Sequence, residues 1–125
     1  MRDVIATEHA PKAIGPYSQA IRANGFIFVS GQTPIDPTNQ QLITGTVAEQ
    51  TERVLRNIEA ILKQAGSNMN KVVRCGVFLK DMNDFAAMNE VYARFFPNNP
   101  PARSTVQAAR LPKDCQVEID AIALE

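Results

Sequence analysis

The C-terminal segment Gln116–Leu124 constrains the fold more than any other part of this chain. Successive side chains of a β-strand point to opposite faces. Val117, Ile119, Ala121 and Ala123 therefore share one face, and Glu118, Asp120, Ile122 and Leu124 share the other. The first face is wholly apolar and has to be covered from within the chain. The second is half carboxylate and half large apolar, too greasy for bare surface and too charged for a private core. An interface between copies of the chain, with the acids at its edge, reconciles the two.

Thr46–Ala65 can supply the cover for the first face. Val47, Thr51, Val54, Leu55, Ile58, Ile61, Leu62 and Ala65 form one stripe at helical spacing. Thr46 and Glu49 have the spacing of a capping box, and Gly66 stands where a positive-φ C-cap belongs. Glu49–Arg53, Glu52–Arg56 and Glu59–Lys63 are spaced as i,i+4 ion pairs on its wet side. A second helix is predicted after Asp81 or Asn83, either of which can cap it, with Phe85, Met88, Tyr92 and Phe95 on one face and Val91 and Phe96 broadening it. Pro97 and Pro100-Pro101 stop it. That aromatic stripe reads as core rather than as a ligand pocket.

Around the helices lie strands. Tyr17–Arg22 and Phe26–Ser30 flank Asn24-Gly25, the pair that suits a type I′ hairpin turn. Gln40–Ile43 reads as a short strand, Lys71–Leu79 as a central one and Arg103–Arg110 as another, before the turn at Leu111–Asp114. Residues 10–16, with two prolines and a glycine, read as an irregular lead-in. The sum is one α+β domain over residues 1–125, a single sheet with two helices on one face and self-association through the other.

Thirteen basic residues balance thirteen acidic ones. A duplex-binding module carries a surplus of positive charge, because phosphate neutralisation supplies most of its non-specific affinity, so nucleic acid is not the expected partner. No apolar run is long enough to span a bilayer, and the N-terminus lacks the apolar stretch of a secretory signal, so the expected location is the cytoplasm. Cys75 and Cys115 sit in apolar surroundings and read as free buried thiols of a reducing compartment. One histidine, His9, is too little for a zinc site.

Phosphate-binding glycine loops, metalloprotease signatures and serine elbows are absent from the sequence. Three candidates remain. Arg103, at the mouth of a strand, offers a guanidinium fork for a planar anion. Glu118 sits among apolar neighbours, where burial penalises its charged form. It is either a structural partner of Arg103 or a proton-exchanging group beside a substrate. Ser30-Gly31-Gln32 closes a strand with a glycine that permits close backbone approach.

These residues also carry a resemblance. Ile14–Ala20, Val29–Gln32, the Gln50–Ala65 helix, Val77–Phe85, Asn89–Tyr92, Pro101–Ser104, Arg110–Lys113 and Val117–Ile119 resemble, in order and over essentially the whole chain, the RidA branch of the RidA/YjgF/UK114 family. The resemblance implies a chorismate-mutase-like, YjgF-like fold. It further implies a homotrimer with a central β-barrel, helices outside, and clefts between subunits. It implies a reactive-intermediate deaminase that uses no metal or organic cofactor. Its substrates would be 2-iminobutanoate and 2-iminopropanoate, tautomers of enamines released by pyridoxal-phosphate-dependent dehydratases; its products would be 2-oxo acids and ammonia. By position, Arg103 would bind the substrate carboxylate and Glu118 would hold or activate the water. Tyr17, Ser30, Gly31 and Asn89 would line the cleft. Thr105 stands where the family often has cysteine, which makes a thiol mechanism untenable at that position. Two alternatives stand beside this reading: a trimeric 2-oxo-acid binding or regulatory protein, and a ribonuclease or translation inhibitor, against which the charge balance argues.

Overall fold

Along the chain the structure, a computed structural model describing all 125 residues, runs β1 (Asp3–Ile5), β2 (Ala20–Ala23), β3 (Phe26–Gln32), β4 (Ile35–Asp36), β5 (Gln41–Leu42), α1 (Val47–Gln64), β6 (Val72–Leu79), α2 (Phe85–Phe95), β7 (Ala102–Gln107) and β8 (Val117–Leu124). Six strands form one sheet in the order β1-β2-β3-β8-β6-β7, and β4 and β5 form a separate ribbon. β6 and β7, joined across α2, are parallel; every other pairing is antiparallel. The fold is α+β with two helices and a mixed sheet, as the sequence predicts.

The hairpin turn lies where Asn-Gly places it. Ala23 pairs with Phe26, and Asn24 and Gly25 between them have φ of 56° and 82°, the positive pair a two-residue primed turn requires. The strand before the turn is shorter than expected: Tyr17, Ser18 and Gln19 lie outside it. β1 has no counterpart in the sequence pattern, since three residues are too few for a periodic signal. β7 ends at Gln107 rather than Arg110. Ala108 still donates to the Leu79 carbonyl, after which the chain has to turn back through Leu111-Pro112 into β8, and proline has no N–H to give a ladder.

β8 runs between β3 and β6, and its alternation sorts the sheet. Val117, Ile119, Ala121 and Ala123 are buried with Ile27, Val29, Cys75, Val77 and Leu79, opposite which they pair. α1 covers this face with Val54, Leu55, Ile58, Ile61 and Leu62, all fully buried, and α2 adds Met88 and Tyr92. The capping box forms: Thr46 Oγ1 accepts from the Glu49 N–H at 3.2 Å, and Glu49 Oε1 accepts from the Thr46 N–H at 3.1 Å. Because Glu49 is engaged there, Arg53 donates to Asn57 Oδ1 instead. Glu59 pairs with Arg56 at 3.1 Å rather than with Lys63, and Glu52–Arg56 stands at 3.9 Å. α2 begins after one 3-10 turn, whose N–H at Asn83 is capped by Asp81.

The opposite face of the sheet carries no helix. Phe26, Phe28, Val106 and Leu124 are exposed on it, beside the half-buried Phe78 and Ile122, and Glu118 and Asp120 lie among them. The mixed face read from the final segment is thus continued by apolar residues of β3, β6 and β7.

Ile58→Ala, in the middle of the covered face, is expected to cost about 2–5 kcal/mol through lost burial and the cavity left behind. Glu52→Ala on the wet side of α1 is expected to cost under about 1 kcal/mol. Chemical denaturation of the two variants against wild type checks both values.

Candidate functional site

Two groups of polar residues stand out, one on each face of the sheet. The first surrounds Glu118. Between Val29 and Gln32 the register of β3 against β8 slips, freeing Ser30 and Gly31 from the ladder. Ser30 turns to the preceding segment instead: its N–H donates to the Gln19 carbonyl at 2.9 Å and its hydroxyl to the Ser18 carbonyl at 2.6 Å. Gly31 lies flat against Glu118. A Cβ built on it would collide with the Glu118 carboxylate and stand 3.0 Å from its Cδ. Here glycine is required by close approach rather than by a turn.

A cleft of about 440 Å³ opens above these residues, lined among others by Lys12, Tyr17, Ser30, Gly31, Lys113 and Glu118. Its outer wall is the lead-in, which is irregular but not loose. The buried Gln19 amide accepts from the Thr7 N–H at 2.7 Å and donates to the carbonyls of Pro11 at 2.7 Å and Thr7 at 3.1 Å. Asn57 reaches from α1 to the carbonyls of Ile35 and Thr33, fixing the far wall. Burial pushes the Glu118 carboxyl above the usual carboxylate range, and the negative charge of Asp120 on the same face adds to it.

The second group surrounds Arg103. The half-buried guanidinium has no carboxylate within ion-pair distance. It lies over the rings of two α2 residues instead, 4.7 Å from the centre of Tyr92 and 5.5 Å from that of Phe85. Asn89 shares the helix stripe of those rings, four residues after one and three before the other, and Thr105 follows Arg103 on the same side of β7. Asn89 Oδ1 and Thr105 Oγ1 are buried without a hydrogen-bond partner, whereas the Tyr92 hydroxyl is turned to the Cys75 thiol. Two orphaned polar atoms beside an unpaired cation mark a place built for a polar ligand or partner. Cys75 lies opposite Arg103 across β6 and β7; burial raises its thiol to about 11, and that of Cys115 also to about 11, so both free cysteines are inert packing.

The two groups do not meet within one chain. Arg103 pairs with the core residue Cys75 and so projects to the helix-covered face, whereas Glu118 pairs with Phe78 on the open face. β6 runs between their strands, and with three residues of offset along it their Cα atoms are about 14 Å apart. Neither is the other's structural partner. Tyr17, Ser30 and Gly31 fall with Glu118, and Asn89 and Thr105 fall with Arg103. Sequence reasoning missed Phe85 and Tyr92 as supports of the arginine, assigning them to the core. The asparagine set at i+4 inside their stripe was the available signal. It also missed Gln19, for which no pattern exists.

The family model described as Endoribonuclease L-PSP matches residues 7–125. A RutC family protein of Pyrococcus horikoshii is 56% identical over 123 residues, covering 98% of each chain. The 2-iminobutanoate/2-iminopropanoate deaminase of Mus musculus is 47% identical over 125 residues, covering all of this chain and 93% of its own. Among solved structures, E. coli TdcF with bound serine superposes with a TM-score of 0.94 at 43% identity over 98% of both chains.

Gly31→Ala is expected to destabilise the protein by about 1–3 kcal/mol through overpacking against Glu118. In combination with Glu118→Ala most of that penalty is expected to vanish, since the colliding group is gone. A double-mutant cycle from denaturation curves measures the coupling; additive effects would contradict the contact.

Proposed function

From the premise that the chain belongs to the RidA/YjgF family, which includes imine deaminases, we propose that it hydrolyses 2-imino acids such as 2-iminobutanoate and 2-iminopropanoate to 2-oxo acids and ammonia. The observation that carries the reading is Arg103: a half-buried guanidinium with no counter-ion in its own chain, flanked by unpartnered polar atoms. A charge held this way is stabilised when an external carboxylate arrives in two parallel hydrogen bonds. The serine bound to the E. coli relative has such a carboxylate.

A working site also needs the acid of the other group, and that requires a second copy. In the homotrimer we propose, the open sheet faces, with Phe28, Phe78, Val106 and Ile122, close around a central barrel. Each cleft then takes Glu118, Tyr17, Ser30 and Gly31 from one subunit and Arg103, Asn89 and Thr105 from its neighbour. The apolar exposure of the open face supports this closure.

The chemistry asks for little beyond positioning. Arg103 fixes the carboxylate, and with it the adjacent C=N carbon, against a water held by Glu118. The water oxygen bonds to that carbon as one of its protons passes to the Glu118 carboxylate and the C=N electron pair moves to nitrogen, which takes a proton from solvent. Glu118 then gives its proton to the nitrogen, the C–N bond breaks with its electron pair leaving on ammonia, and the carbonyl of the 2-oxo acid forms as the remaining hydroxyl proton returns to solvent. A carboxyl with a raised pKa suits both halves of that exchange. Lys12 and Lys113 at the cleft mouth add a field favourable to an anionic substrate.

Purified protein is expected to accelerate the decay of 2-iminobutanoate generated by an amino-acid oxidase. Arg103→Ala is expected to lose about 2–5 kcal/mol of that acceleration, as when a desolvated charge-assisted contact is broken. Glu118→Gln should hydrolyse slowly while remaining assembled, and Thr105→Ala should keep substantial activity. Because Glu118 works in its ionised form, the rate falls as pH drops through its raised pKa, and Glu118→Gln removes that acid limb. A wild-type rate equal to that of buffer would contradict the deaminase reading and favour 2-oxo-acid binding.

A further inference from the structure

A guanidinium that is to catch a substrate carboxylate faces a dilemma. Its long side chain has to be held still, or ordering it weakens every binding event. The usual fastener is a carboxylate, and a carboxylate would neutralise the charge and occupy the N–H groups the substrate needs. Arg103 has no such fastener. Its guanidinium carbon lies 4.7 Å from the ring centre of Tyr92 and 5.5 Å from that of Phe85.

We propose that Phe85 and Tyr92 are positioning residues that form an aromatic seat for Arg103, holding its guanidinium through ring faces so that its N–H donors stay free for the substrate carboxylate. A ring face attracts a cation through its quadrupole and takes up no donor of a stacked guanidinium plane. The seat is itself fixed. Tyr92 is 5% exposed and packs against Phe96, ring centres 4.7 Å apart, while Phe96 is buried. α2 sets the spacing, with Phe85 at its first residue and Tyr92 two turns on. The Tyr92 hydroxyl, turned to the Cys75 thiol, contributes nothing to the seat; the ring does. The identity of the anion rests on the deaminase reading, whereas the seat is a property of the chain itself.

The test uses wild type, Tyr92→Phe, Tyr92→Leu and Phe85→Leu with two readouts: the affinity for 2-oxobutanoate, a stable carboxylate, by calorimetry, and the order of the Arg103 Nε–H by NMR relaxation. Tyr92→Leu is expected to weaken binding about fivefold or more and to loosen the Nε–H, and with imine as substrate to raise KM more than it lowers kcat. Tyr92→Phe restores the ring and is expected to restore both readouts to within about twofold of wild type. Phe85→Leu, at a partly exposed site where folding is not at stake, is expected to give a smaller loss in the same direction. Unchanged affinity and Nε–H order in either leucine variant overturns the seat, as does a Tyr92→Phe as impaired as Tyr92→Leu. If Tyr92→Leu fails to fold, Phe85→Leu decides. The imine-decay rate of wild type judges the deaminase reading separately: a protein without that activity but with an Nε–H ordered by the two rings keeps the seat and loses the reaction.

Discussion

The alternation of side chains along β8, between β3 and β6 in the sheet, sets what each face of the molecule can do. Its inward residues meet those of β3 and β6 under α1 and form the core. Its outward residues put Glu118 beside the Gly31 backbone and Asp120 two positions on, among exposed phenylalanines. A shift of one residue in register would bury both acids under α1 and put the core residues in water, so the pairing of β8 with its neighbours is strongly specified. The cleft is a by-product of that specification. The slip in β3 frees Ser30 and Gly31 opposite Asp120, and there the Gly31 backbone gives the Glu118 carboxylate room.

The same two-sidedness keeps Arg103 and Glu118 apart. Had the chain placed them on one face within reach, they would have formed an ion pair, and a buried pair would hold each group in a fixed charge state with its hydrogen-bonding capacity used up. On opposite faces, Arg103 stays a cation without a counter-ion and Glu118 stays an acid whose ionisation is opposed by burial and by Asp120. Each is held by neighbours other than an ion-pair partner: aromatic rings under the guanidinium, a glycine backbone against the carboxylate. On the proposed reading a single chain carries two half-sites, and the chemistry would arise where copies meet.

Much of this was legible in the sequence. The α1 stripe with its capping box, the Asn-Gly turn and the two faces of β8 follow from period and turn chemistry, and all three stand in the structure. What was not legible follows from tertiary context. Three-residue β1 gives no period to read. The expected Glu49–Arg53 pair is absent because Glu49 is engaged at the cap, and Arg53 turns to Asn57. The aromatic stripe of α2 reads as core, and Tyr92 is core. The same ring also seats Arg103, and no pattern in one helix can show that a strand residue distant in sequence will lie across it. The residues of the site were visible as types; their distribution over two faces required the pairing of β6, β7 and β8.

The central claim is that a working cleft takes Arg103 from one copy and Glu118 from another. Mixing Arg103→Ala and Glu118→Gln subunits tests it most directly. Each variant alone has no complete cleft. When equal amounts are unfolded together, refolded and reassembled, random trimers would contain complete clefts in about a quarter of positions, each built from the intact half of either variant. The account predicts imine hydrolysis at about a quarter of the wild-type rate from two nearly inactive parents. A mixture no more active than its parents, with mixed assemblies demonstrated by mass, would contradict it.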